Sequence, residues 1–188
     1  LQEAYGSGTR FPIYSTEFGE QTNPPETLIR ALAPPTAAYY MNWAEYLSWL
    51  NPRIRSYDQY LLVDAPNGTF STALEFASGV PKATYAAYRM PLYLPATTAG
   101  HGQKLEVWGC VRPAHYAQLS TGRAQQVEIQ FAPASGGHFS TVHVVPLTGP
   151  GCYFDVVERF PGSGTVRLRW SYPHGPAIYS RNVRITLH

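Results

Sequence analysis

Three stretches late in the chain alternate apolar and polar residues with a period of two. Val127, Ile129 and Phe131 interleave with Gln126, Glu128 and Gln130; Val166, Leu168 and Trp170 interleave with Arg167 and Arg169; Val183, Ile185 and Leu187 close the chain. Period two puts one set of side chains on a buried face and the other in water, the signature of half-buried strands. Residues 105–111, 138–147 and 152–160 add further β-prone segments, separated by Gly and Pro turns. Six or seven such strands predict an antiparallel, immunoglobulin-like β-sandwich over residues 104–188.

The first half reads differently. Phe11-Pro12-Ile13-Tyr14-Ser15-Thr16 is short, β-prone and bounded by Gly8 and Gly19, as suits a buried strand. Pro34 and Pro35 break the chain, after which Thr36 is placed to cap a helix with an aromatic stripe of Tyr39, Trp43, Tyr46 or Leu47, and Leu50. Residues 56–63 predict a second buried strand, and Pro81 opens a last helix that ends before Pro91. The order β, α, β, α over residues 1–95 contrasts with the all-β remainder. Charge divides the same way: residues 1–95 carry six basic and eight acidic side chains, residues 96–188 eight and four. Small and polar residues without a period mark 96–103 as a linker. The expected class is α/β plus all-β, in two unrelated modules.

Composition excludes several functions. A net charge of +2, with 14% charged residues, argues against a nucleic-acid polycation. No apolar run approaches the length of a membrane span, and the opening Leu1-Gln2-Glu3-Ala4-Tyr5-Gly6 lacks the regions of a signal peptide. A start at Leu1 rather than Met reads as a processed product or a fragment. The six His form no ligand set, and no Gly-rich phosphate loop occurs, so neither a metal nor a cofactor is expected. Asn67-Gly68-Thr69 matches a glycosylation sequon. Cys110 and Cys152 fall on opposite strands of the expected sandwich and are expected to be joined in a disulfide, two buried thiols being the alternative.

Candidate chemistry centres on Glu17, where the first strand runs into a Gly-bearing loop, Thr16-Glu17-Phe18-Gly19. The stretch Ile13-Tyr14-Ser15-Thr16-Glu17-Phe18-Gly19-Glu20-Gln21-Thr22-Asn23-Pro24-Pro25 resembles the seventh strand and following loop of retaining glycoside hydrolases with a (β/α)8 barrel. Tyr40-Met41-Asn42-Trp43-Ala44-Glu45-Tyr46, Tyr57-Asp58-Gln59-Tyr60-Leu61-Leu62 and residues 79–89 extend the likeness across roughly residues 10–94.

The resemblance implies that residues 1–95 are the last two βα units of a TIM-type barrel and that Glu17 is the nucleophile of the complete enzyme. Asp64, Tyr60 and Phe18 would contact the sugar, with Tyr14 and Phe70 as further stacking surfaces. It also implies a secreted setting, which permits a disulfide. A whole barrel takes about 250 residues, so the acid/base carboxyl would come from chain outside this sequence, and the chain alone is expected to be inactive. Expected partners are carbohydrate and either the missing barrel portion or another protein chain. The alternative is a non-catalytic carbohydrate-binding or structural β-sandwich protein with a barrel remnant. Local chemistry gives plainer roles as well: Asp64 before Ala65-Pro66 suits a turn, and aromatics at this density belong mostly to a core.

Overall fold

The computed structural model describes residues 2–6, 8, 10–27, 30–68, 70–148 and 151–188. Thr69 of the sequon lies outside the described residues. The chain divides into two compact units, Leu1–Pro81 and Lys82–His188.

The first unit holds α1 (Gln2–Tyr5), β1 (Ile13–Phe18), α2 (Pro34–Leu50) and β2 (Ile54–Gln59). β1 and β2 pair in parallel, from Ile13 opposite Ile54 to Phe18 opposite Gln59. Parallel neighbours need a crossover, and α2 supplies it. Pro34 and Pro35 occupy the first turn of α2 after Ala33, rather than breaking the chain ahead of a Thr36 cap. A first-turn proline gives up an N–H that has no helical partner in any case. Asn51 ends the helix, and its Oδ1 accepts from the Arg53 N–H at 3.1 Å, turning the chain into β2.

The buried face of α2 is mostly not the expected one. Ala37, Ala38, Met41, Asn42, Glu45 and, of the expected stripe, Tyr46 are buried, while Tyr39, Trp43, Leu47 and Leu50 are exposed. Small residues let the helix axis approach its neighbours closely, and the Tyr57 hydroxyl of β2 donates to the Met41 carbonyl at 3.2 Å. β1 and β2 are mostly exposed or half-buried, not the buried strands expected.

The last two units of a TIM-type barrel are not what this segment forms. Among the described residues, β1 and β2 make a two-stranded sheet with each other and with no further strand. A barrel strand needs a hydrogen-bonded neighbour on each side.

The second unit contains α3 (Ala83–Arg89), β3 (Leu92–Tyr93), β4 (Thr98–Ala99), β5 (Leu105–Cys110), α4 (Arg112–Thr121), β6 (Gln125–Pro133), β7 (Ser140–Leu147), β8 (Tyr153–Glu158), β9 (Gly164–Ser171), β10 (Ala177–Tyr179) and β11 (Val183–Leu187). One sheet runs β4-β11-β9-β6-β7, with β10 also paired to β9; the other runs β3-β5-β8. The parallel β4–β11 pair apart, these strands are antiparallel. The segment 96–103 therefore contributes an edge strand, β4, where a free linker was expected, and α3 belongs to the sandwich unit.

Alternation works as the sequence predicts. Val166, Leu168 and Trp170 of β9 and Val183, Ile185 and Leu187 of β11 are buried. They join Val107 of β5, Ile129 of β6 and Phe154 of β8 in one core drawn from both sheets. Each such side chain contributes about 1.5–3 kcal/mol on burial. β10 and β11 continue one another along β9, interrupted at Ser180. There the Ser180 hydroxyl oxygen accepts from the Leu168 N–H at 2.8 Å and takes the place of a ladder carbonyl.

α4 was not expected. Pro113 lies in its first turn and Gly122 ends it in the left-handed conformation, φ 66°, the sequence signature of a short helix. A disulfide joins Cys110 to Cys152. It ties the end of β5 to the residue before β8, neighbours within the three-stranded sheet, and does not cross between the sheets.

Candidate functional site

Parallel strands deliver their C-terminal ends to the same place. The Tyr60 N–H, just past β2, donates to the Phe18 carbonyl at 2.7 Å, so Glu17, Phe18 and Gly19 lie beside Tyr60. Together with Gln21, Phe70 and Thr72 they line a cleft of ≈ 340 Å³, within the size range of small-ligand sites.

The loop that carries Phe70 is held at several points. The Thr72 hydroxyl donates to the Tyr60 carbonyl at 3.1 Å, and the Gln59 amide donates to the Thr72 carbonyl at 2.7 Å. Buried Thr22 donates to the Ser71 carbonyl through its hydroxyl and its N–H, both at 3.0 Å. Gly19 makes this closure possible: a Cβ there would lie 2.7 Å from the Thr72 Cβ.

Phe70 itself has φ 51°. A bulky residue in the left-handed region carries strain of about 1–3 kcal/mol, which the surrounding loop must offset. Its ring is 61% exposed and meets the 36%-exposed Tyr60 ring edge to face at 6.4 Å. Two aromatic surfaces thus face solvent beside a carboxylate, an amide and a hydroxyl.

The expected site residues separate here. Glu17, Phe18 and Tyr60 come together in the cleft. Phe18 is half-buried and packs its ring on Tyr57 at 4.7 Å, forming the floor. Asp64 is not among the cleft's lining residues. It is 3% exposed, and its Oδ1 accepts from the Ala73 N–H at 3.1 Å, bracing the base of the Phe70 loop. Gln21 and Thr72 were not among the expected site residues. Gln21 stands in the quoted stretch but past the end of β1, Thr72 stands in no strand or motif, and only the return of the loop brings Thr72 to Tyr60. Among the cleft's described lining residues Glu17 is the one carboxylate, whereas retaining hydrolysis uses two, about 5 to 5.5 Å apart.

Among the described residues no three His, Cys, Asp or Glu side chains gather as a metal site, and no helix is long and apolar enough to cross a membrane.

No family model matches the chain, and no curated protein matches it. It is similar in structure to a putative superoxide reductase from Thermotoga maritima, with 11% identity over 53% of this chain and 85% of that one, TM-score 0.40. A superoxide reductase (neelaredoxin) from Ignicoccus hospitalis gives 11% identity over 53% and 80%, TM-score 0.40. The sulfur carrier protein SoxY from Chlorobium limicola gives 12% over 53% and 79%, TM-score 0.37. Among the described residues β1 and β2 form a two-stranded sheet of their own, which is not part of a (β/α)8 barrel. The expectation of a retaining glycosidase barrel with Glu17 as its nucleophile is corrected accordingly.

Proposed function

We propose that the protein binds carbohydrate through the cleft at the ends of β1 and β2. The carrying observation is the exposed Phe70 and Tyr60 pair beside Glu17, with Phe70 in a strained backbone conformation. A sugar ring has apolar C–H faces and a polar equator. The aromatic rings take the first by stacking, while Glu17, Gln21 and Thr72 hydrogen-bond the second. Glu17 serves here as a hydrogen-bond acceptor. The Cys110–Cys152 disulfide supports an oxidising, extracellular setting for such a protein.

Calorimetric titration of the chain with neutral cello-, xylo- and manno-oligosaccharides tests the reading. One series is expected to bind and to be recovered intact. Phe70→Ala and Tyr60→Ala should each weaken it about three- to tenfold, the worth of one aromatic contact. Unchanged affinity in both variants, or no binding by any series, overturns the proposal.

A further inference from the structure

The core-facing residues of β9 alternate with Thr165, Arg167 and Arg169 on the opposite face of the larger sheet. Register sets Arg169 between Tyr179 of β10 and Glu128 of β6, and Arg167 beside Gln130 of β6. The two arginines have different fates. Arg169 is taken up by Glu128, to which its Nη1 donates. The other Glu128 oxygen accepts from the Thr141 hydroxyl at 2.7 Å and from the Gln130 amide at 3.0 Å.

Arg167 is left without a carboxylate among the described residues, yet its guanidinium is held firmly. Its Nε donates to the Gln130 Oε1 at 3.0 Å. Its Cζ lies 3.7 Å from the Phe139 ring centroid and 4.1 Å from that of Tyr179. Neither Nη has a partner among the described residues. A planar fork, fixed by stacking and by its own Nε, therefore keeps its two outer donors for something else.

Two residues back along β9 on the same face, Thr165 lines a cavity of ≈ 370 Å³ that β9 and β11 border together with Ser163, Arg184 and Thr186; Arg167 itself is not one of its lining residues. Arg184 stands opposite Thr165. Strand geometry, with two residues along β9 and one strand across, puts the Arg167 and Arg184 backbones about 8 Å apart. The surplus positive charge of residues 96–188 is thus partly concentrated on one polar face.

We propose that this face is a second binding site, taking the carboxylate of an acidic sugar on the Arg167 fork while the cavity at Arg184, Thr165 and Thr186 seats the ring. A carboxylate is planar and matches a guanidinium through two parallel hydrogen bonds. Ring hydroxyls suit the threonine side chains. The choice of a saccharide rests on the carbohydrate-binding reading above; the carboxylate requirement rests on Arg167 alone. Nucleic acid is disfavoured by the low overall charge of +2.

The test is calorimetric titration of the whole chain with a trimer of galacturonic acid and, separately, with its fully methyl-esterified form. The free acid is expected to bind, and the ester to bind at least about tenfold more weakly, the worth of a charge-assisted pair. Arg167→Gln should cost the same factor, and Arg167→Lys nearly as much, since an ammonium cannot form the fork. Far-UV circular dichroism checks that the variants fold, and Arg184→Gln gives a second, smaller loss. Equal binding of acid and ester, or full binding by Arg167→Gln, overturns the proposal. So does equally tight binding of a single-stranded RNA of matched charge, which needs no fork. Phe70→Ala should leave acid binding untouched. Loss of neutral-sugar binding alone refutes the cleft reading; loss of the carboxylate preference alone refutes this one.

Discussion

Replacing Gly164 with Ala is the sharpest probe of the sandwich. A Cβ at this position would lie 2.2 Å from the Ala132 carbonyl oxygen and 2.5 and 2.6 Å from two Phe131 ring carbons. Carbon atoms rest at about 3.5–4.0 Å, so the overlap exceeds about 1 Å on a backbone atom that cannot rotate away. Ala132 is fixed in the β6–β9 ladder, and Phe131 is 2% exposed with its ring 5.7 Å from that of Phe160. Relief requires β6 and β9 to part. Overpacking costs about 1–3 kcal/mol where side chains can yield, and a backbone clash belongs at or above the top of that range. A loss of about 3 kcal/mol lowers the thermal midpoint of a domain of this size by roughly 10–20 °C. Gly162→Ala is the matched control: its Cβ would meet nothing within 4 Å, so it should be neutral or stabilise by up to about 1 kcal/mol. Urea unfolding, followed by hydrogen exchange at the β9 amides, measures both. Gly164→Ala within about 0.5 kcal/mol of wild type, or Gly162→Ala equally destabilised, refutes the packing argument.

Removing the disulfide as Cys110→Ala with Cys152→Ala should cost about 4 kcal/mol on the chain-entropy estimate, given a separation of 42 residues; a loss below about 1 kcal/mol in urea titrations would contradict it. Burial raises the Glu128 carboxyl, but hydrogen bonds from Thr141 and Gln130 and the charge and hydrogen bond of Arg169 outweigh it and hold the group below its ordinary value. The stability it contributes is complete above the unfolded-state value and is lost as pH falls through the lowered folded value, so Glu128→Gln should flatten the acid limb of the stability curve. Asp155 behaves oppositely: burial and then the charge of Glu106 raise its carboxyl. Asp155→Asn should therefore stabilise at neutral pH and lose that advantage as pH falls through the raised value, as paired denaturation curves at several pH values will show.

The sandwich was legible because each strand buries one face within its own unit, and period two survives in the sequence. Val127, Ile129 and Phe131 are all at most 2% exposed, as the alternation requires. α4 was missed although Pro113 and Gly122 bracketed it, because its buried residues include the small Ala114 and Ala117, which carry no strong hydrophobic period. α2 misled in the opposite sense. Its largest apolar side chains form a stripe at helical spacing, yet of these only Tyr46 is buried. The helix instead turns Ala37, Ala38, Met41, Asn42 and Glu45 inward with it, a choice set by how closely its neighbours approach, which no local window records. The cleft was half legible: Glu17, Phe18 and Tyr60 follow from strand ends, whereas Gln21 and Thr72 arrive by loop closure. The Arg167 fork depends on rings from Phe139 and Tyr179, which lie far apart in sequence and meet only through strand order.

The exposed tryptophans of α2 also give the molecule two optical reporters. Trp43 and Trp49, in the first unit, are 39% and 40% exposed, while Trp108 and Trp170, in the second, are 0% and 2% exposed. Emission from the first pair is expected at long wavelength and open to quenching by acrylamide; emission from the second is blue and shielded. During unfolding, a loss of shielded emission with the quenchable component unchanged would mark the second unit opening by itself. Loss of both together would mean that the two units unfold as one. A single cuvette can therefore follow each unit of the native sequence without an introduced label.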